Sequence, residues 1–285
     1  MSLELIEQLS LPGSDTRPNE DAFASLDKAA LVMDGATPLG PSLLPGPSDA
    51  AWIAQFGARR LSTHLKDGDP PRIALRHALQ DAAKSFAGLS REPIREKWQT
   101  PCASMMLAVE LGRDRNGTEF EFLWFGDCAA LIESEDEVVL VGETLQKRKA
   151  EARRAQRIAR EKNISAVAGV DRPEIEPLLR AARNRINSGR NWLFSPDARA
   201  ADHVARKTMT LAQGAFVLIA SDGFLALVSD YDTYDIKGLM SAVKSKGLGA
   251  LGRELRAVEE SDACGEKFSR FKKSDDCTAL YLRVR

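Results

Sequence analysis

The chain of 285 residues carries 40 lysines and arginines against 41 aspartates and glutamates, a net charge of −1. This balance excludes bulk positive charge as a means of binding nucleic acid or an anionic membrane. A hydrophobic content of 44% and a charged content of 28% are those of an ordinary globular protein with a sizeable core. Four scattered cysteines without a CxxC pair predict reduced thiols. Because the sequence shows neither a signal peptide nor a run of about 18 apolar residues, we expect a cytoplasmic protein.

The first part of the chain predicts a strand, a loop and two helices. Residues 29–34 are an apolar run that predicts a buried strand ending at Asp34. Four prolines between residues 36 and 47 predict an irregular loop next to that aspartate. Ser48 predicts the N-cap of an amphipathic helix, and Pro71 predicts the first turn of a second one. Two consecutive helices after a strand indicate a helical layer that packs on a sheet.

The rest of the chain predicts mostly strands joined by short turns, with two helical patterns near its end. The helical patterns lie at 236–243 and 251–258, and a further one lies near 173–186. Because strands come in runs and helices come in pairs, the pattern predicts an α+β protein with antiparallel pairing. The predicted strands are 105–111, 120–125, 129–132, 138–141, 215–220 and 278–282.

Four aspartates stand where apolar strands end or begin: Asp34, Asp127, Asp222 and Asp275. One Asp-Gly step after a strand is an ordinary turn. Two such steps together with two further strand-edge aspartates favour a shared site, and a shared site requires one folded unit. Mg²⁺ and Mn²⁺ prefer carboxylate, carbonyl and water oxygens, so widely separated aspartates suit them better than they suit zinc.

The order of these steps resembles that of the metal-dependent protein phosphatases of the 2C type. The similarity runs from Glu20 to Leu282 and implies a four-layer α-β-β-α sandwich of two mostly antiparallel sheets flanked by helices. It also implies a single domain over residues 1–285, with a variable flap at about 143–201. The motifs that carry the resemblance are Arg17-Pro18-Asn19-Glu20-Asp21-Ala22, Asp34-Gly35, Gly126-Asp127, Ser221-Asp222-Gly223 and Asp275-Asp276-Cys277-Thr278.

The resemblance implies a phosphatase that acts on phosphoserine and phosphothreonine in proteins and uses two or three Mn²⁺ or Mg²⁺ ions. A water shared by two ions would have a lowered pKa and would serve as the nucleophile. Arg17 would clamp the phosphate, because a guanidinium matches phosphate geometry in a bidentate way. The metal ligands would be Asp34, as the bridge, the carbonyl of Gly35, Asp222 and Asp275.

Three further acidic residues are expected beside these ligands. Glu20 and Asp21 would orient metal-bound waters. Asp127 would join Asp222 in holding a third, weaker ion. We also expect Gly35 to follow Asp34 because the position needs an unusual backbone conformation.

The residues after the first Asp-Gly step support a second hypothesis. The sequence Ala36-Thr37-Pro38-Leu39 stands where the family usually has small, glycine-rich residues. This change favours a phosphatase-like regulatory module that is catalytically weak or inactive and binds a protein partner through a basic flap. The retained carboxylates favour an enzyme, because a module without turnover has no need of carboxylates that repel one another.

The segment from Glu143 to Lys162 contains eight lysines and arginines against three glutamates. Its few apolar residues predict a solvated helix, and the functional alternative is a flap that recruits an acidic or phosphorylated partner at 147–162. A nucleic-acid binder is a weaker alternative, because the segment has no interleaved aromatic residues. The three histidines lie far apart in sequence and predict partly exposed helix residues rather than metal ligands or catalytic groups.

Overall fold

The computed structural model describes residues 2–134, 137–142, 176–265, 267–268, 270 and 272–285. The basic segment 147–162 and the first part of the expected flap, 143–175, therefore lie outside the described residues. Within the described ranges, no helix is both long enough and apolar enough to cross a membrane.

Ten strands and six helices build the described part of the chain. The strands are β1 (Leu3–Leu11), β2 (Asp21–Ser25), β3 (Ala29–Gly35), β4 (Ala103–Asp114), β5 (Gly117–Phe125), β6 (Ala129–Ser134), β7 (Glu137–Val141), β8 (Ala205–Leu211), β9 (Phe216–Ala220) and β10 (Cys277–Val284). The helices are α1 (Asp49–Lys66), α2 (Pro71–Leu89), α3 (Glu176–Arg183), α4 (Asp222–Ser229), α5 (Ile236–Lys246) and α6 (Leu248–Ser261).

The strands form two five-stranded sheets in which every neighbouring pair is antiparallel. One sheet has the order β1-β10-β9-β6-β7, and the other has the order β2-β3-β4-β5-β8. Because β1 pairs with β10, the first and last strands lie side by side in one sheet.

Successive side chains of a strand point to opposite faces of its sheet, and this alternation explains how the layers pack. In β3, Val32 faces the other sheet and packs with Met106 and Ile219, whereas its neighbours Leu31 and Met33 face the helices α1 and α2. Helices α4, α5 and α6 cover the outer face of the other sheet in the same way. The four-layer α-β-β-α sandwich and the α+β class are confirmed.

Most predicted elements are present, and local signals explain their starts. The side chain of Ser48 caps α1 by accepting hydrogen bonds from the backbone N–H groups of Ala50 and Ala51, and α2 begins at Pro71 as predicted. The sequence analysis missed β1, β2, β8 and α4. It placed a simple turn after Ser221, but the structure starts α4 there, with Ser221 as the N-cap and Asp222 in the first helical turn.

Part of the segment expected to be a flap belongs to the core. Phe194 pairs with Ala103 of β4 through backbone hydrogen bonds of 2.8 and 3.0 Å, and its side chain is fully buried. A Cβ atom at Gly57 of α1 would lie 2.7 Å from the Phe194 ring, so the absence of a side chain at Gly57 makes room for that ring. Phe194 therefore packs this part of the chain against α1 and β4.

We expect Phe194→Ala to lower the free energy of unfolding by about 3–5 kcal/mol, because it leaves a cavity between α1 and β4. Urea denaturation measures this change. The matched control is Leu178→Ala, since Leu178 on α3 is exposed and should change stability by less than about 0.5 kcal/mol. Equal effects of the two substitutions would show that Phe194 is not a core residue.

Candidate metal centre

Strand register brings acidic residues of distant sequence to one end of the β2-β3-β4-β5-β8 sheet. Asp21 of β2 lies opposite Asp34 of β3, and Asp34 lies opposite Ser104 of β4. The hydroxyl of Ser104 donates a hydrogen bond of 2.6 Å to Oδ1 of Asp127, which follows β5. Strands β2, β3 and β5 therefore bring three carboxylates to the same end of the sheet, with Ser104 of β4 between them.

Ser221 connects the β1-β10-β9-β6-β7 sheet to this end of the β2-β3-β4-β5-β8 sheet. Its backbone N–H donates to the carbonyl of Thr278 in β10, and its hydroxyl accepts from the Thr278 N–H, each at 2.9 Å. The same hydroxyl donates to Oδ2 of Asp21 at 2.8 Å. This buried serine fixes the start of α4 and so places Asp222 opposite Asp34.

The carboxylate oxygens of Asp34, Asp127 and Asp222 lie within 4.8 Å of one another. These residues line a cavity of about 560 Å³, together with Gly35 and Asp275. Gly35, Asp34, Asp222 and Asp275, the four predicted ligand positions, thus come together at one cavity.

Repulsion among the carboxylates shapes the electrostatics of the cluster. Desolvation raises the pKa of Asp34 well above its ordinary value, and the charge of Asp222 raises it further, followed by those of Asp21, Asp127 and Asp275. Desolvation also raises the pKa of Asp21, although a hydrogen bond from Ser221 lowers it. Such a cluster is stabilised by cations.

One buried oxygen supports a cation site directly. Oδ1 of Asp21 is buried and has no hydrogen-bond partner within the part of the chain that the structure describes. A buried carboxylate oxygen without a partner is costly unless a cation or a cation-bound water meets it. The donor set of clustered carboxylates fits hard divalent cations such as Mg²⁺ and Mn²⁺.

Comparisons with known proteins bear on the fold that surrounds this cluster. Neither protein-family models nor curated proteins match the sequence. Solved structures do: the Mycobacterium tuberculosis serine/threonine phosphatase PstP/Ppp is 14% identical, with a TM-score of 0.58 and coverage of 100% of both chains. Its catalytic domain in complex with two manganese ions is 14% identical, with a TM-score of 0.55 and coverage of 99% of this chain and 98% of that one.

A SpoIIE chain from Bacillus subtilis that comprises the PP2C phosphatase domain and a fragment of the regulatory domain is 13% identical with a TM-score of 0.53, over 99% of this chain and 63% of that one. The chain has the 2C-type phosphatase fold. At these identities the similarity establishes the architecture, and the chemistry of the site has to be argued from its residues.

At Gly35 and Gly223, beside the cluster, there is no room for a side chain, and neither glycine has an unusual backbone conformation. Gly35 continues β3 and is not among the glycines with positive φ, so the expectation of an unusual backbone is not met. A Cβ atom at Gly35 would lie 2.4 Å from the carbonyl oxygen of Ala50, and one at Gly223 would lie 1.9 Å from that of Asp276. Both glycines let backbone segments approach closely where the 2C-type fold closes around its aspartates.

Glu20 holds together the segments around the cluster. Its Oε2 accepts a 2.7 Å hydrogen bond from the Thr37 hydroxyl, and its Oε1 accepts one from the hydroxyl of Ser48. Its backbone carbonyl accepts from the Gly35 N–H at 3.0 Å. Glu20 therefore connects the loop after β3 to the N-terminus of α1, and its expected role toward metal-bound waters stays a prediction.

Asp276, to which the sequence analysis gave no role, fixes the segment that precedes β2. Its two carboxylate oxygens accept hydrogen bonds of 2.7 Å from the backbone N–H groups of Gly13 and Glu20. The second aspartate of the Asp275-Asp276 pair thus positions backbone, while the first faces the cavity.

Lys272 places a positive charge beside the acidic cluster. Its ammonium donates to Oδ1 of Asp275 at 2.8 Å and to the hydroxyl of Thr37 at 2.9 Å. Desolvation lowers the pKa of Lys272, but the charges of Asp275, Asp34 and Glu20 outweigh it and raise that pKa above its ordinary value. The sequence analysis missed Lys272. The one signal for Lys272 in the sequence is its position three residues before the predicted ligand Asp275.

Arginines other than the predicted one line the cavity. Arg17 is exposed and is not among the described residues that form the cavity wall, which includes Arg183 and Arg190. The guanidinium of Arg183 donates to the carbonyls of Ala36 and Thr37 at 3.4 and 3.3 Å. Helix α3 therefore holds the altered loop after Gly35, and the role of Arg17 as a phosphate clamp stays a prediction.

Proposed function

We propose that the protein is a metal-dependent protein serine/threonine phosphatase of the 2C family. One observation carries this proposal: Asp34, Asp127 and Asp222 come from three separate parts of the chain and bring their carboxylate oxygens within 4.8 Å of one another. The 2C-type fold supports it, since solved neighbours of that fold are described as serine/threonine phosphatases.

The cofactors proposed for this centre are two or three divalent cations, Mn²⁺ or Mg²⁺. Asp34, the carbonyl of Gly35, Asp222 and Asp275 would hold two of them, and Asp127 with Asp222 would hold a third. When bound, the cations supply a water of lowered pKa as the nucleophile and offset the charge of the phosphate. The two manganese ions of the PstP catalytic domain support the choice of metal.

The protein's own residues prepare this chemistry by positioning groups around the cavity. Ser104 orients the carboxylate of Asp127, and Ser221 orients that of Asp21. Arg183 and Arg190 supply positive charge to the wall, where a phosphoserine or phosphothreonine side chain of a protein substrate would enter. Arg17 remains the second candidate for phosphate binding.

A regulatory module without significant turnover is the second candidate function, and Lys272 favours it. The ammonium of Lys272 already neutralises Asp275, so the cluster is partly compensated by the protein's own charge. In this alternative, the fold would bind a phosphorylated or acidic protein partner, with 147–162 as its proposed basic contact.

Hydrolysis of a phosphothreonine peptide with Mn²⁺, with Mg²⁺ or with EDTA tests the proposed function. We expect turnover with either metal, no turnover in EDTA, and a loss of at least about a hundredfold in Asp222→Asn, because a metal ligand is removed.

Lys273→Met serves as the control variant, because Lys273 is the neighbour of Lys272 in the chain and its exposed ammonium pairs with Glu260 instead of an aspartate of the cluster. It should retain the activity of the unmodified protein. Binding of Mn²⁺ without phosphate release from any of several phosphoserine and phosphothreonine peptides would contradict the enzyme proposal and favour the regulatory module.

A further inference from the structure

Two of the three histidines meet at the turn between α1 and α2, contrary to the expectation that the histidines are isolated. His64 lies in the last turn of α1 and His77 lies in α2, with ring centroids 5.3 Å apart. His64 is about 22 Å along α1 from Asp49, next to the N-cap that contacts Glu20. This second cluster is therefore separate from the aspartate centre.

Asp69 completes a three-residue donor set in the turn. Its Oδ2 lies 2.7 Å from Nδ1 of His77 and 3.5 Å from Nδ1 of His64, and the three donor atoms of the cluster lie within 4.8 Å of one another. Ligand atoms around a tetrahedral zinc ion with bonds of about 2.0–2.1 Å are about 3.3 Å apart. The backbone already fixes the turn, because the N–H of Asp69 donates to the carbonyl of His64 at 3.1 Å.

A second carboxylate orients His64. Nε2 of His64 lies 2.9 Å from Oδ2 of Asp81, and Nε of Arg60 donates to the same oxygen at 2.6 Å. Histidines that bind metals almost always donate their other ring N–H to a carboxylate or carbonyl. With Nε2 of His64 directed at Asp81, Nδ1 of the same ring faces Asp69 and His77.

We propose that His64, Asp69 and His77 form a site for a divalent transition metal, for which Zn²⁺ is the natural probe. Two imidazoles and one carboxylate suit zinc far better than they suit Mg²⁺. The side chains of Asp69 and His77 are 29% and 42% exposed, so a water completes the coordination from the solvent side. The bound ion joins the end of α1 to α2 and stabilises the helical layer that covers the β2-β3-β4-β5-β8 sheet.

Calorimetric titration with Zn²⁺ in excess Mg²⁺ tests the site, because Mg²⁺ competes at the aspartate centre but not at imidazoles. The unmodified protein is expected to bind one Zn²⁺ that His77→Ala and Asp69→Asn bind at least a hundredfold more weakly. Asp81→Asn should weaken binding about tenfold, since it removes only the partner of His64. Zn²⁺ should raise the thermal midpoint of the unmodified protein and leave that of His77→Ala unchanged.

His203→Ala is the matched control, because His203 is the chain's remaining histidine and lies outside the cluster. It should bind Zn²⁺ as the unmodified protein does. Co²⁺ provides an independent readout, since tetrahedral coordination gives intense visible absorption that His77→Ala should lose. Equal Zn²⁺ affinity of His77→Ala and the unmodified protein, or no binding by the unmodified protein, would overturn the proposal. Should circular dichroism show that His77→Ala is unfolded, Asp69→Asn provides the same comparison.

Discussion

Asp34→Asn is expected to lower kcat/KM for a phosphothreonine peptide by at least about a thousandfold and, in EDTA, to make the protein more stable. The loss of activity follows from the proposed role of Asp34 as a metal ligand, because the variant would remove a carboxylate that would hold the cations. The gain in stability follows from the raised pKa of Asp34, which reports desolvation and repulsion by Asp222, Asp21, Asp127 and Asp275. Neutral asparagine of the same shape relieves both, so the free energy of unfolding in EDTA should rise.

Urea denaturation in EDTA measures the stability change, and peptide hydrolysis with Mn²⁺ measures the activity. Asp276→Asn is the matched control, since Asp276 accepts two backbone hydrogen bonds. It should lose about 1–2 kcal/mol rather than gain stability. A stability loss in Asp34→Asn, or activity within tenfold of the unmodified protein, would show that Asp34 is an ordinary structural residue.

Lys272→Met is expected to tighten Mn²⁺ binding at least about tenfold, because it frees Asp275 from a charge-assisted ion pair worth about 1.5–3 kcal/mol. In EDTA the same variant should have a lower thermal midpoint, since the cluster then lacks its compensating cation. Calorimetric titration with Mn²⁺ measures the first effect, and thermal unfolding in EDTA measures the second.

Lys273→Met again supplies the control, because its ammonium pairs with Glu260 and not with the cluster. Neither its Mn²⁺ affinity nor its thermal midpoint should change appreciably. Weaker Mn²⁺ binding in Lys272→Met would contradict competition between the lysine and the metal, and would instead indicate that Lys272 positions the proposed ligand Asp275.

Much of the fold could be predicted because its signals are local. The apolar run of residues 29–34, the Ser48 cap and the proline at position 71 each act over a few residues, and each element is present. Strand β8 was missed because it is a largely exposed edge strand whose core contacts come from Met209 and Leu211 near its end. Helix α4 was missed because its residues are buried on all sides, which removes the periodicity that marks a surface helix.

The sequence predicted the acidic residues of the candidate site but not the residues that form hydrogen bonds and ion pairs with them. The motif order identified Asp34 and Asp222, whereas Lys272 and Ser104 belong to no such motif. Thr37 and Lys272 are hydrogen-bonded across a separation of 235 residues. Pairings of this kind depend on sheet packing, and no sequence window contains both members.

The sequence by itself determined the secondary-structure class, the strand-edge positions of the aspartates and the preference of such donors for hard cations, because these follow from local periodicity and from ligand chemistry. Only the tertiary structure decided that Ser221 joins the two sheets at the cluster, that Lys272 compensates Asp275, and that His64 meets His77. Ser221 contacts Asp21 across 200 residues of sequence, and Lys272 contacts Thr37, across 235 residues, as well as its near neighbour Asp275. His64 and His77 meet because α1 and α2 pack side by side. The packing of sheets and helices sets these distances, and the neighbouring residues in the chain do not.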